Sequence, residues 1–482
     1  MENRVRTRFA PSPTGFLHVG GLRTALYCYL FAKQNGGDFI LRIEDTDLER
    51  YVPGAVEIIY STLAQANMKI DEGPNEGGPY GPYVQTERKD LYLKYAKELV
   101  EKGAAYYCFC DKERLESLKN DGGIARYDKH CLHLSKEEVE ARIARGDKWV
   151  IRQNMPTTGE SEFEDLVFGH VVIPNNELED QILIKSDGLP TYNFANVIDD
   201  HLMNITYVMR GNEYLSSTPK YNLLYDAFGW ERPNYIHLTP IMKDETRKLS
   251  KRYGDANFDD FVKKGYLPEA IVNYIALLGW SPKGEQEKFT MDELIEKFSI
   301  SGLSKSSSIF DQAKMKWLNG EYIKELDFDK FMEYATPFFE ESAIKGKYDY
   351  RKFGKLLQSR VEIFSEIPEK VEFIVNFNKI DDEMYFNKKF KLNSDIAKDI
   401  LKVAIPYFES LNEWTEDALH QATTEVANKM EIKAGCVYTV MRIALTGVMV
   451  TPGGSVEMAD ILGKEESIKR LNQALAWLNG GN

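Results

Sequence analysis

Pro11-Ser12-Pro13-Thr14-Gly15-Phe16-Leu17-His18-Val19-Gly20-Gly21 is the stretch that decides the fold. Before it, Val5 to Ala10 reads as a buried strand. After it, Val19 to Gln34 carries apolar residues at helical spacing and meets a Gly36-Gly37 stop, which predicts a helix. A strand, a turn and a helix start in this order gather unpaired backbone N–H groups at the positive end of a helix dipole, where phosphate is favoured. Gly20 and Gly21 leave bare backbone for a nucleotide to lie against, and His18 can donate to a phosphate oxygen. Such a turn is also ordinary punctuation before a helix, so its meaning depends on what else the chain carries.

A second stretch, Lys248-Leu249-Ser250-Lys251-Arg252, supplies that context. Two lysines flank a serine, with Arg247 and Arg252 outside them, a density of cation suited to a departing pyrophosphate. Alone it would also fit a solvated face. Between the two stretches the pattern alternates. Phe39–Glu44 reads as a strand, a helix follows from Pro53 with Val56, Ile59, Tyr60 and Leu63 on one face, and another starts near Glu87. Residues 1–107 therefore predict a parallel sheet with covering helices. The character changes over 108–188, with a charged helix at Lys136–Arg145 and strand-like runs at Trp149–Gln153, Leu166–Ile173 and Ile182–Lys185, which predicts an insertion into the sheet domain. Alternation resumes over 189–255 with Thr191–Asp200, Ile205–Met209 and Pro219–Phe228, so both cation-bearing stretches belong to one split Rossmann-type domain. Residues 256–324 read as helical, and 325–482 have helical periodicity and few strand signals.

The chain has 482 residues, 43% of them hydrophobic, enough for three or four domains with real cores. It contains no uninterrupted apolar run of about eighteen residues and opens without a leader-like segment, so a cytoplasmic protein with no membrane partner is expected. A net charge of −14 argues against a coat protein of nucleic acid. It leaves room for a nucleic-acid partner on one confined surface, to which Arg351, Lys352, Lys355 and Arg360, or Lys388, Lys389 and Lys391, could contribute. Five cysteines do not make a disulfide framework. Cys108, Cys110, Cys131 and His133, however, form two close pairs about twenty residues apart, the spacing of a tetrahedral structural zinc site. His130 competes as the fourth ligand, and the alternative is three buried thiols with a surface histidine.

In an open parallel sheet, ligands sit outside the carboxyl ends of the strands. Arg8 lies toward the end of the first strand and Ser12 follows it, Glu44 ends the second, and Arg210 follows Ile205–Met209. Tyr192 and Asn196, four apart on a predicted helix, share a face. The competing readings are a packing tyrosine at Tyr192 and an ion pair of Arg210 with Glu213.

Together, His18-Val19-Gly20-Gly21 and Lys248-Leu249-Ser250-Lys251-Arg252 resemble the paired signatures with which class I aminoacyl-tRNA synthetases clamp ATP from two sides. The stretches Arg8 to Gly15, Arg42 to Asp47 and Leu189 to His201 are similar to those of bacterial glutamyl-tRNA synthetases, and the resemblance runs over nearly the whole chain. It implies a multidomain α/β plus α protein. The split catalytic domain would hold an inserted acceptor-binding domain at 108–188. A stem-contact region at 256–324 and an all-helical anticodon-binding end at 325–482 would follow, where glutaminyl enzymes have a β-barrel. The implied substrates are ATP with Mg²⁺, L-glutamate and tRNA(Glu), handled by a monomer with no DNA partner. Glutamate's α-carboxylate would attack the α-phosphate, and a ribose hydroxyl at the tRNA 3′ end, the 2′-OH in this class, would capture the product.

The resemblance also implies roles for single residues. His18, Lys248 and Lys251 would meet the phosphates, with Gly20, Gly21 and Ser250 completing the ATP site. Glu44, helped by Ser12, would take the α-ammonium, while Arg8, Arg210, Tyr192 and Asn196 would surround the substrate's carboxylate end. Arg360 matches the arginine with which discriminating members reject tRNA for glutamine. Some members carry the Cys-x-Cys and Cys-x-His zinc pattern and others have lost it. Neither Asp199 nor Asp200 is needed as a base, because the substrate carboxylate is already the nucleophile. The nearest rival is a glutaminyl enzyme or one that charges both tRNAs, and from another class an inactive tRNA-binding paralogue. Intact His18, Lys248 and Lys251 count against the last.

Overall fold

The computed structural model describes residues 4–118, 127–249 and 257–480. Ser250, Lys251 and Arg252 lie outside the described residues, so of the second cation-bearing stretch only Lys248 and Leu249 can be placed. The chain forms two compact units, Met1–Val262 with Pro268–Gln312, and Lys263–Leu267 with Ala313–Asn482.

The first unit carries the strands β1 (Arg6–Phe9), β2 (Asp38–Leu41), β3 (Ala105–Cys108), β4 (Val150–Gln153), β5 (Glu160–Asp165), β6 (Gly169–Pro174), β7 (Ile182–Ile184), β8 (Tyr207–Gly211) and β9 (Asn234–Leu238). β1 and β2 pair in parallel, with Arg6 opposite Asp38 and Phe9 opposite Leu41. The helix Val19–Gln34 connects them and is buried around almost its whole circumference, from Val19 and Leu22 through Leu26, Tyr27 and Leu30 to Ala32. A helix apolar all round must be covered on every side. The sheet covers one side. On another, Tyr27 Oη donates to the Ala276 and Leu278 carbonyls, each at 3.0 Å, and Arg23 donates to Leu278 O at 2.9 Å and to Thr239 O. The chain leaves this helix through Gly36, at φ +60°, and Gly37, where any side chain would strike the Val5 carbonyl.

β8 and β9 are parallel neighbours, and β1 lies beside the start of β8, where the Thr206 N–H donates to Arg6 O at 3.0 Å and the Arg6 N–H donates to Thr206 Oγ1 at 2.8 Å. Ile40, Tyr83, Phe163, Met203, Ile205, Val208 and Tyr235 make one apolar cluster beneath these strands. Each such side chain contributes roughly 1.5–3 kcal/mol on burial. β3, β4 and β7 form a separate antiparallel sheet.

The run Leu166–Ile173, expected as one strand, is instead a turn followed by β6. Asp165 Oδ1 accepts the backbone N–H groups of Val167 at 2.9 Å and Phe168 at 2.8 Å, and Gly169 completes the reversal at φ +81°. The strand before the turn, β5, pairs antiparallel with β6 and meets β9 at Asp165 opposite Tyr235. This hairpin thus extends the β8–β9 sheet and does not join β3, β4 and β7. Two strand ends also differ from expectation. β2 stops at Leu41, before Glu44, and β8 runs on through Arg210 to Gly211.

The second unit is helical, with no strand among its described residues. In Ser394–Glu409, Ala397, Ile400, Leu401, Ala404, Ile405 and Phe408 are buried at three- and four-residue spacing. The last helix, expected over Glu465–Leu478, runs there to Leu478, and Gly463, whose φ of 75° and ψ of 168° are not helical, separates it from a helix that begins at Ser455.

Candidate active site

A cavity of about 970 Å³ opens at the carboxyl ends of β1, β2 and β8. Arg8, Ser12, Glu44, Tyr192 and Arg210 all line it, together with Gly21, Thr46, Lys185 and Tyr214. Asn196 does not reach its surface. It is buried one turn behind Tyr192, where its amide donates to the Tyr192 carbonyl at 2.7 Å. His18, Gly20 and Lys248 also lie outside this lining.

One wall is a closed set of buried charges. Arg8 Nε donates to Asp200 Oδ1 at 2.9 Å, and its fork donates again to the Met209 carbonyl at 3.2 Å. Arg42, with no exposed surface, reaches the same Asp200 oxygen at 2.7 Å, Glu44 Oε1 at 2.9 Å and Asp199 at 3.7 Å. Asp199 in turn holds Arg88 at 2.7 Å and accepts from Tyr92 at 2.8 Å and Gln85 at 2.9 Å. Three guanidiniums face three carboxylates, so the wall is neutral and each buried charge is paired. Burial pushes the Glu44 carboxyl up to about 7, against the pull of Arg42 and Arg8. The sequence reading singled out Glu44 but missed Arg42, Asp199 and Asp200 as its supports. The adjacency of Arg42 and Glu44 was the available signal, whereas Asp200 lies 158 residues from Arg42.

The opposite wall is built differently. Arg210 on β8 stands opposite His237 on β9. Its Nε donates to His237 Nε2 at 3.2 Å, and a terminal NH₂ donates to Thr218 Oγ1 at 2.8 Å. The rings of Tyr221, Tyr214 and Tyr235 surround it at 4.6, 5.2 and 5.5 Å. Among the described residues no carboxylate forms an ion pair with Arg210, and the alternative pairing with Glu213 is not made. A positive charge with only neutral partners in a cavity wall is a seat for an anion.

At the start of the helix Val19–Gln34, His18 is the N-cap, and its Nδ1 accepts the Gly20 N–H at 3.0 Å. In a neutral ring the cap leaves the hydrogen on Nε2, the form that donates to an oxygen. A side chain at Gly20 would rest against the His18 ring at 3.4 Å. Lys248 is exposed, on a segment returning along Ile241–Met242, where the Leu249 N–H donates to Ile241 O at 3.0 Å.

Cys108, Cys110 and Cys131 gather with their sulfurs all within 4.8 Å of one another. His133 does not join them. It is exposed and lines a separate cavity with Asn154 and Met155, and His130 is absent from the group as well. Beside them stands Tyr127, whose Oη lies 3.2 Å from Cys108 Sγ and 3.5 Å from Cys110 Sγ. The Cys110 and Cys131 sulfurs are 3.6 Å apart, close enough for both to reach one zinc at about 2.3 Å. Hydrogen bonds from Cys131 and Tyr127 hold the Cys108 thiol well below the usual range, so the cluster favours a thiolate. Beyond Cys131 the chain turns, its carbonyl accepting the Leu134 N–H at 3.4 Å, and His130 and His133 are both exposed.

In the second unit, Arg360 is exposed just beyond the helix Tyr350–Leu357 and donates to the Leu356 carbonyl at 2.6 Å. Arg351 pairs with Asp329 and Lys352 with Asp460, each within this unit.

A strand–turn–helix start with a charged cavity at the carboxyl ends of parallel strands defines a sheet of the nucleotide-binding class. Residues 4–317 match the family model described as tRNA synthetases class I (E and Q), catalytic domain, and residues 330–475 match an anticodon binding domain. The chain belongs to this class I tRNA synthetase family. It is 56% identical over 477 residues to a glutamate--tRNA ligase of Clostridium novyi, with 98% of each chain covered. A glutamate--tRNA ligase of Clostridium botulinum strain Hall is 55% identical over 475 residues, again with 98% coverage of each. Among solved structures, the glutamate-tRNA synthetase of Elizabethkingia anophelis matches with a TM-score of 0.88 at 35% identity, covering 98% of this chain and 99% of that one. A glutamate tRNA ligase from Elizabethkingia meningosepticum, solved in complex with its amino acid, matches with a TM-score of 0.87 at 33% identity, covering 98% and 100%.

Proposed function

We propose that this chain activates L-glutamate with Mg-ATP and transfers it to the 3′ end of tRNA(Glu), releasing AMP and diphosphate. The observation that carries this reading is Arg210, a guanidinium in the cavity wall whose direct partners are neutral and which no carboxylate contacts among the described residues. Glutamate's side-chain carboxylate supplies the missing negative charge, and glutamine's amide cannot. Glu44, near Ser12, takes the α-ammonium, and Tyr192 closes the pocket, with Asn196 holding the Tyr192 backbone from behind. Arg8, already joined to Asp200, adds donors without adding net charge to its wall. The α-carboxylate is left toward the start of the helix Val19–Gln34, where Gly20, Gly21 and the Nε2–H of His18 would meet the phosphates. Lys248, Ser250 and Lys251 would approach them from the other side. No side chain needs to act as nucleophile or base, and the protein's contribution is orientation and charge.

In this reading the segment around β3, β4 and β7 serves the tRNA acceptor end and the helical second unit reads the anticodon, with Arg360 at its surface. A zinc held by Cys108, Cys110, Cys131 and Tyr127 would be structural, since four protein ligands leave no open position. Metal analysis should find one zinc per chain, lost in Cys131→Ser. Protein purified without chelator and free of zinc would overturn that assignment. The function itself is tested by charging purified tRNA(Glu) and tRNA(Gln) separately with glutamate and glutamine. Glutamate on tRNA(Glu) is the expected product, and charging only with glutamine would make the chain a glutaminyl enzyme.

A further inference from the structure

Arg210 is held by groups that no catalytic role requires, and their chemistry is specific. His237 has a fully buried side chain, and Asp165 Oδ2 lies 2.7 Å from its Nδ1 while also accepting its backbone N–H at 3.1 Å. A carboxylate only accepts, so the imidazole hydrogen sits on Nδ1. Nε2 is then a lone pair, and it receives Arg210 Nε–H at 3.2 Å. Thr218 completes the grip. Its hydroxyl hydrogen is given to the Tyr214 carbonyl at 2.8 Å, so its own lone pair accepts the Arg210 NH₂ at 2.8 Å.

Two neutral acceptors therefore fix one edge of the guanidinium without cancelling its charge. Asp165 is itself fixed, because its second oxygen is bound by the two N–H groups of the β5–β6 turn. We propose that Asp165, His237 and Thr218 are positioning residues that aim Arg210 at the side-chain carboxylate of the amino-acid substrate and so set the preference for the acid over its amide. The proposal rests on the assignment of Arg210 to that carboxylate. The wrong tautomer, or an imidazolium, would turn an N–H against the guanidinium and dislodge it. Burial lowers the pKa of His237 and keeps the ring neutral, in keeping with the geometry.

Two measurements decide it. The first reads the tautomer directly in a long-range ¹H–¹⁵N spectrum of histidine-labelled protein, in which only seven histidines appear. At about pH 7 the His237 ring should be neutral with its hydrogen on Nδ1, and an Nε2–H or doubly protonated ring overturns the proposal. The second is steady-state pyrophosphate exchange with tRNA present. His237→Leu should raise KM for glutamate on the order of 10- to 100-fold while KM for ATP stays unchanged, because a misaimed guanidinium affects one substrate only. His237→Gln, which keeps an acceptor near the place of Nε2, should recover most of the loss. If the leucine variant does not fold, Thr218→Val is used in its place with the same expectation. A parallel rise in both KM values, or an unchanged KM for glutamate in folded protein, defeats the relay. Failure of the wild type to charge tRNA with glutamate would instead defeat the functional reading, whatever the histidine spectrum.

Discussion

On one wall of the strand-end cavity Arg8, Arg42 and Arg88 are matched by Glu44, Asp199 and Asp200, while on the other Arg210 directly meets only an imidazole, a hydroxyl and three phenol rings. Both walls bury guanidiniums in strands and neighbouring loops of the same sheet unit, yet they solve the burial problem in opposite ways. The matched wall cancels its charge internally, so it adds rigidity and shape. The other wall keeps its carboxylate, Asp165, one residue behind the guanidinium, so the face that Arg210 turns to the cavity has no anion in contact with it.

The largest expected effect strikes the matched wall. Arg42→Leu leaves Glu44, Asp199 and Asp200 crowded without their shared cation, and breaking a buried pair in this way costs about 3–5 kcal/mol. The urea midpoint of the catalytic unit should fall accordingly. A shift no larger than that of an ordinary surface variant would mean that the three carboxylates do not depend on Arg42, and the contrast between walls would lose its basis.

Arg210→Ala should behave in the reverse manner, with stability held and recognition lost. Its kcat/KM for glutamate should drop on the order of 10²–10³-fold, and that for glutamine much less, because the amide never relied on the charge. Equal losses on both amino acids would show that Arg210 shapes the pocket without choosing its occupant.

A smaller, graded effect comes from pH. Glu44 must be ionised to hold an ammonium, and its carboxyl titrates at about 7 because it is buried. As pH falls below about 7, kcat/KM for glutamate should decline by about tenfold per unit. The stability sign runs the other way. The native state binds this proton more tightly than the unfolded chain, so Glu44 favours folding below its unfolded pKa of about 4.3, and that preference fades as pH rises through about 7. Glu44→Gln should flatten the acid limb and leave a low, level profile, and an unchanged limb would assign the titration to another group.

What the sequence disclosed follows from how local each feature is. The helix Val19–Gln34 was legible to the residue, because its apolar spacing and the Gly36-Gly37 exit are both written within one short stretch. β5 was hidden. In Glu160–Asp165 only Phe163 and Asp165 are buried, so the strand reads as a charged run, whereas the apolar Leu166-Val167-Phe168 that follows looks like a strand and is a turn made by the Asp165 side chain. The cavity residues on β1 and β8 were legible as charges near strand ends. Their supports were not, because Asp165 and His237 are 72 residues apart, and neither stands in a motif. Tyr127, which stands against the sulfurs of Cys108 and Cys110, was passed over because the nearby histidines are the more familiar companions of cysteine.

The placement of β1 carries a last consequence, in the order of events during synthesis. Its β2 side can close once about forty residues exist, through Arg6 with Asp38, but its β8 side waits for Thr206, 200 residues further on. At roughly 5–20 residues per second a ribosome needs about 10–40 s to supply them. For that interval the nascent chain presents an unpaired strand edge, the kind of surface that recruits another chain, and charged side chains are the usual deterrent. Arg4 and Arg6 can pair early with Asp38 of β2, whereas Arg8 waits for Asp200, 192 residues away.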